Sequence, residues 1–118
     1  MLKSAIRDND PDIFMESEQM YGDKGEVPDE EYLLPIGVAD IKRKGNDVTI
    51  VSFGKIIKEA FKAADELEKE NISCEIIDLR TIRPLDYKVI FESVKKTNRV
   101  VTCEEGFPFS GIGAEISA

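Results

Sequence analysis

The chain has 118 residues, no histidine, two cysteines and a formal charge of −8, with 42% of residues apolar and 34% charged. This is the composition of one globular domain, and no apolar run approaches the ~20 residues a membrane span requires. No basic stripe exists to neutralise phosphates, so nucleic acid is excluded as a partner. Without histidine the chain can build no Ser–His or Cys–His nucleophile and no histidine-bearing zinc site.

Leu2, Ala5 and Ile6 fall on one face of a short helix that ends by Pro11. Residues 12–16, DIFME, alternate as a strand would. Residues 8–31 hold ten acids against one base, Lys24, so this segment carries −9 and the remainder +1. Such a run reads as a solvated connector and not as a binding face. Its Gly- and Pro-bearing portion, residues 23–35, is expected to link two domains.

Residues 37–43 and 47–53 are strand candidates, and Lys44-Gly45-Asn46 between them predicts a hairpin turn. The period then changes. Ile57, Ala60, Phe61, Ala64 and Leu67 form one stripe of a helix over 54–70, with Asn71 as its left-handed stop. Residues 73–79, SCEIIDL, predict a strand covered on both faces. Pro84 and Asp86 open a second helix bearing Leu85, Val89, Ile90 and Val94, with Lys95 and Lys96 suited to its C-terminal dipole. Residues 99–103 predict a further strand. Strand, helix, strand, helix, strand in this order predict an α/β fold of three layers around a mainly parallel sheet. Cys74 and Cys103 lie inside strands without metal or redox spacing and are expected to be buried free thiols.

In an open parallel sheet, ligands bind beyond the carboxyl ends of the strands. Those ends are Ser52-Phe53-Gly54, Asp78-Leu79-Arg80 and Glu104-Glu105-Gly106, with Arg83 close by. The arginines and glutamates are expected to pair with each other or with a neighbouring subunit. Gly111-Ile112-Gly113-Ala114 lacks the third glycine of a dinucleotide loop and follows the wrong strand, so it predicts a tight turn into a helix. Ser52-Phe53-Gly54 lacks the Gly-x-Ser-x-Gly elbow of hydrolases.

The segments LKSAIRDNDP, ESEQMYG, LPIGVADIKRKGNDVTIVSFG, EIIDLRTIRPLD and TNRVVTCEEGFPFSGIGAEI, in this order, resemble the β subunits of thiamine-diphosphate-dependent 2-oxoacid dehydrogenases, those of the pyruvate dehydrogenase type above all. The resemblance covers essentially the whole chain. It implies that residues 1–22 are the tail of a pyrimidine-binding domain, 23–35 the linker, and 36–118 a transketolase C-terminal-like domain cut before its last elements.

By the same resemblance the parent enzyme decarboxylates pyruvate oxidatively and passes the acetyl unit to a lipoyl group. Its cofactor is thiamine diphosphate with magnesium. Its partners are an α subunit, a second β subunit in an α2β2 heterotetramer, and a dihydrolipoyl acyltransferase core. It would lie in the cytoplasm of a bacterium or in the mitochondrial matrix of a eukaryote. No residue here corresponds to a catalytic or thiamine-contacting position, so this stretch alone is expected to be inactive and to serve assembly. Carried over by position, Ala5, Ile6, Asp8 and Asp10 are the candidates for a potassium ion, with simple capping of the helix end expected when the stretch stands alone. Branched-chain 2-oxoacid and acetoin dehydrogenase β subunits remain alternatives, as does a flavodoxin-like binding module.

Overall fold

The computed structural model describes all 118 residues. Its elements in chain order are α1 (Leu2–Arg7), β1 (Asp40–Arg43), β2 (Val48–Ser52), α2 (Ile57–Lys69), β3 (Cys74–Asp78), α3 (Tyr87–Thr97), β4 (Val100–Cys103) and α4 (Ile112–Ser117), with 3-10 turns at Glu18–Met20 and Gly54–Ile56. One four-stranded sheet has the order β1-β3-β2-β4. β2 lies parallel to both β3 and β4, and only β1 at the edge runs antiparallel.

The expected three layers are present because β2 and β3 carry apolar side chains on both faces. On one face Ile50, Cys74 and Ile76 pack against Ala60 and Ala64 of α2, flanked by Ile57, Phe61 and Leu67. These helix residues are the stripe read from the sequence, and the two alanines let the helix approach closely. On the other face Val51, Ile77 and Leu79 pack against Ile90 of α3 and Ala39, flanked by Val89 and Val94. Full burial of each isoleucine contributes about 1.5–3 kcal/mol relative to exposure. Asn71 (φ 63°) and Asn98 (φ 55°) end α2 and α3 in the left-handed conformation. Asp86 caps α3 by accepting the Val89 N–H at 3.3 Å, and its other oxygen accepts the Ala39 N–H at 3.0 Å.

Three expectations are corrected. Lys44-Gly45-Asn46 is not a hairpin turn, because β1 pairs with β3 and not with β2, in the register Asp40↔Asp78 and Ile41↔Ile77. The connection instead crosses the start of β3 to reach β2. Gly45 rides so close that a Cβ there would lie 2.2 Å from the Cys74 carbonyl carbon. Residues 12–16 form no strand; Ile13 and Met15 are 92% and 87% exposed, with no neighbouring strand to pair with. Cys74 is buried as expected, and burial pushes its thiol pKa up, but Cys103 is only half-buried.

Between β2 and α3 lies a polar cluster that the fold encloses. Thr49 Oγ1 is 2.6 Å from Ser93 Oγ and 2.7 Å from Thr97 Oγ1. Beside it the Glu75 carboxylate, 2% exposed, is paired with Lys96. Burial alone would raise the Glu75 pKa, but hydrogen bonds from Lys96 and Ser93 and the Lys96 charge hold it below the usual carboxylate value.

Candidate functional site at the carboxyl ends of the strands

The strand ends gather the polar residues singled out in the sequence, and the contacts show what each one holds. At the end of β2 the Ser52 hydroxyl donates to the Cys103 carbonyl at 3.0 Å. Gly54 follows with φ +63°, a conformation that favours glycine, and opens the turn into α2. The Ser52 hydroxyl is therefore a tie between β2 and β4 and has no adjacent base.

At the end of β3 the Asp78 carboxylate accepts the Arg80 N–H at 3.2 Å. The Arg80 guanidinium pairs with Asp40 of β1, whose carboxylate Lys42 also approaches at 2.6 Å. The Lys42 hydrogen bond, aided by the Arg80 charge, holds Asp40 below the usual aspartate pKa despite partial burial. The sequence predicts that the arginines and glutamates pair with each other or with a neighbouring subunit, whereas Arg80 pairs with an aspartate of its own chain. The β1–β3 register places Asp40 opposite Asp78, and so supplies an aspartate from the neighbouring strand instead.

Glu104 and Glu105, at the end of β4, have different partners. Glu104 Oε2 accepts the Ile112 N–H and Oε1 accepts the Gly113 N–H, each at 3.0 Å. One carboxylate thus satisfies two of the unpaired donors at the start of α4. Gly111 leaves room for this carboxylate, and Gly113 leaves room chiefly for Thr102. A Cβ at position 111 would sit 2.3 Å from Glu104 Oε1, and one at 113 would sit 2.6 Å from Thr102 Oγ1. The turn into a helix is borne out, with a tertiary carboxylate as its cause. Glu105 pairs with Lys55 at 2.8 Å.

Alongside lies a cleft of about 860 Å³ between residues 82–87 and the start of α4, lined among others by Arg83, Leu85, Tyr87, Ser110 and Ile112. Tyr87 OH donates to Glu115 Oε1 at 2.6 Å across it, and this bond raises the Tyr87 pKa. Arg83, on the cleft wall, is the second arginine of the sequence reading.

The other candidate set lies away from these strand ends, at the C-terminus of α1. The Asp8 N–H donates to the Ala5 carbonyl at 3.3 Å. The Asp10 N–H, which would meet the Ile6 carbonyl if the helix continued, donates to Asp8 Oδ1 at 3.0 Å instead. No main-chain N–H takes the Ile6 carbonyl at this helix end, whereas the Ala5 carbonyl is occupied by the Asp8 N–H. Carbonyl and carboxylate oxygens are a donor set that suits a hard monovalent cation. Thiamine diphosphate with magnesium does not fit the donors of this chain. The strand-end carboxylates are engaged by Arg80, Lys42, Lys55 and the α4 amides, and no three of His, Cys, Asp or Glu cluster to hold a metal.

Sequence reading missed three features of this region: the Glu104 cap, the Tyr87–Glu115 bond and the enclosed Glu75. The first two join residues from separate elements and leave no local pattern. Glu75 did leave one, as a carboxylate set directly between Cys74 and Ile76-Ile77 in a strand expected to be covered on both faces.

A three-layer sheet whose strand-end groups tie its own strands and helices together defines an α/β packing domain. The chain belongs to the transketolase C-terminal domain family, whose model matches residues 37–118. Over its full length it is 54% identical to the pyruvate dehydrogenase E1 component subunit beta of Dictyostelium discoideum, covering 34% of that protein. It is 57% identical over 98% of its length to the corresponding subunit of Pisum sativum, of which it covers 33%, and 48% identical over its full length to that of Bacillus subtilis, covering 37%. A solved structure described as a split-gene transketolase, an inactive beta4 tetramer, superposes with a TM-score of 0.70 at 32% identity, covering 80% of this chain and 31% of the other. The resemblance and the fold read from the sequence are borne out. The chain spans about a third of the length of the curated relatives it matches.

Proposed function

We propose that these 118 residues act within the β subunit of a pyruvate dehydrogenase, and that their part there is assembly and not bond-breaking. The observation that carries this is identity of 48–57% to such subunits over essentially the entire chain. In the complete enzyme, thiamine diphosphate with magnesium supplies the carbanion chemistry for oxidative decarboxylation of pyruvate. The residues of this chain contribute rigid packing: the Glu104 cap, the Arg80–Asp40 pair and the enclosed Glu75 fix the sheet and its helices. Partners are an α subunit, a second β subunit and the dihydrolipoyl acyltransferase core. The compartment is the cytoplasm of a bacterium or the mitochondrial matrix of a eukaryote.

The domain division is 1–22 for the end of the pyrimidine-binding domain, 23–35 for the linker and 36–118 for the transketolase C-terminal-like domain. Residues 1–22 add a potassium site formed by the Ala5 and Ile6 carbonyls with Asp8 and Asp10. The Ile6 carbonyl, which no main-chain N–H takes, supports that assignment.

A chimera tests the reading. This chain replaces the matching third of the Bacillus subtilis subunit, and the product is co-expressed with the α subunit. The expected result is an assembled enzyme that decarboxylates pyruvate. A folded chimera that never binds the α subunit would overturn the assignment.

A further inference from the structure

The acidic segment is fastened to the domain by charge rather than by packing. No residue before Ala39 is buried, so apolar contact contributes little to its position. Its attachments are polar. Asp23 Oδ2 lies 2.5 Å from Lys58 Nζ, and Gln19 Oε1 accepts from Lys55 Nζ at 2.6 Å. Further along, the segment is tied to α1 instead, where Arg7 pairs with Glu31 and the Ser4 hydroxyl donates to the Leu34 carbonyl. Lys55 and Lys58 are three residues apart in the turn that opens α2, so both point to one side of it. Lys55 Nζ is also 2.8 Å from Glu105 Oε1 in the loop after β4.

This placement is the rim of a topological switch. β2 connects through α2 to β3 on one side, while β4 lies on the other side of β2. The carboxyl ends of β2 and β4, at Gly54 and Glu105, therefore flank the crevice in which open α/β sheets admit ligands. We propose that residues 18–34 form an electrostatic strap across this rim, latched by Lys58 to Asp23 and by Lys55 to Gln19, and that Lys55 couples the strap to the loop 105–111. The strap holds six acids (Glu18, Asp23, Glu26, Asp29, Glu30 and Glu31) against one base, Lys24, so its attachment depends on the lysines of the domain and is loosened when salt screens them. Exposed pairs of this kind are individually weak and are screened by salt, which makes the latch reversible under mild conditions.

Amide exchange of the full chain, followed by NMR at low and high sodium chloride, tests the strap. The reporters are the Met20, Tyr21 and Asp23 amides, bonded to the Ser17, Glu18 and Met20 carbonyls, and the Gly111 amide, bonded to the Pro108 carbonyl. Moving from roughly 10 mM to roughly 1 M salt shortens the screening length about ten-fold, and the strap amides should then exchange several-fold faster while those of β3 are unchanged. Lys58→Met should give the high-salt rate in the strap already at low salt. Asp23→Asn, which leaves the folded domain untouched, should do the same. Lys55→Met should accelerate both the strap amides and Gly111. Strap exchange that is indifferent to salt, or to both Lys58→Met and Asp23→Asn, would overturn the strap. An unchanged Gly111 rate in Lys55→Met would overturn the coupling.

Discussion

Glu104 Oε1 accepts the backbone N–H of Gly113 at 3.0 Å, and its second oxygen takes the neighbouring Ile112 N–H at the same distance. The loop from Glu105 to Ser110 is thereby closed on itself by one side chain. Glu104→Ala should lose about 1–2 kcal/mol of unfolding free energy, the usual consequence of removing charged-acceptor bonds to helix-start amides. Gly111→Ala should cost a similar amount, since its Cβ would displace the same carboxylate. The two changes together should cost clearly less than their sum, because the second has no bond left to break. Urea unfolding of the four proteins in the cycle checks this; full additivity would mean that Gly111 acts independently of Glu104.

Gly45 makes a sharper demand. Its missing Cβ would lie 2.2 Å from the Cys74 carbonyl carbon and 2.4 Å from the Glu75 nitrogen, and neither backbone atom can swing aside. Gly45→Ala should therefore destabilise the fold by about 2–3 kcal/mol, the upper part of the range for overpacking. Gly25→Ala, where nothing lies within 4 Å of the added carbon, should be nearly neutral. Equal midpoints for the two variants in chemical unfolding would contradict the crossing described at residues 44–47.

That crossing also marks how far the sequence could be read. The α2 stripe, the Asn71 stop, the doubly covered β3 and the Asp86 start of α3 were legible because each is a local pattern with one physical cause. Which strand neighbours which is not local. Lys44-Gly45-Asn46 carries the residues of a turn, yet Gly45 is needed for close approach to Cys74 and Glu75, and β1 pairs across β3 instead of β2. Ile13 and Met15 alternate like a strand but find no partner. At the strand ends the positions of Arg80, Glu104 and Glu105 were legible and their partners were not, since Asp40, the α4 amides and Lys55 come from distant segments.

The Glu75–Lys96 pair predicts an acid-side loss of stability. Glu75 is held below its unfolded-state pKa, so its stabilisation is complete above the ordinary glutamate pKa and is lost as pH falls through the folded value. Lys96→Met should lower stability at pH 7 by about 1–2 kcal/mol, because a buried carboxylate is left with only its neutral donors while the lysine end of the pair was partly in water. The variant should also lose less stability on acidification than the parent protein, because the Lys96 hydrogen bond and charge that hold the Glu75 pKa down are gone while its burial remains. Unfolding midpoints measured from pH 7 downwards check both points; parallel profiles would remove Glu75 as a titrating contributor.

Self-association should follow from the exposed edge of the sheet. Val100 and Val101 on β4 are 43% and 48% exposed, and Phe107 and Phe109 beyond it are 88% and 90% exposed. Light scattering at high concentration should report a mass above 13.2 kDa, most simply a twofold dimer. Phe109→Asp should shift the population towards monomer. A dimer unaffected by that change would place the contact elsewhere, and a monomer throughout would show that this surface does not pair with itself.

Titration calorimetry with thiamine diphosphate and magnesium is the most direct test of the account, in which this chain carries assembly and not cofactor chemistry. The strand-end carboxylates are engaged with basic side chains and main-chain amides, so the 118-residue protein should give no binding heat at tens of micromolar cofactor while remaining folded by circular dichroism. Saturable binding in the micromolar range would contradict the account and place cofactor donors within this chain.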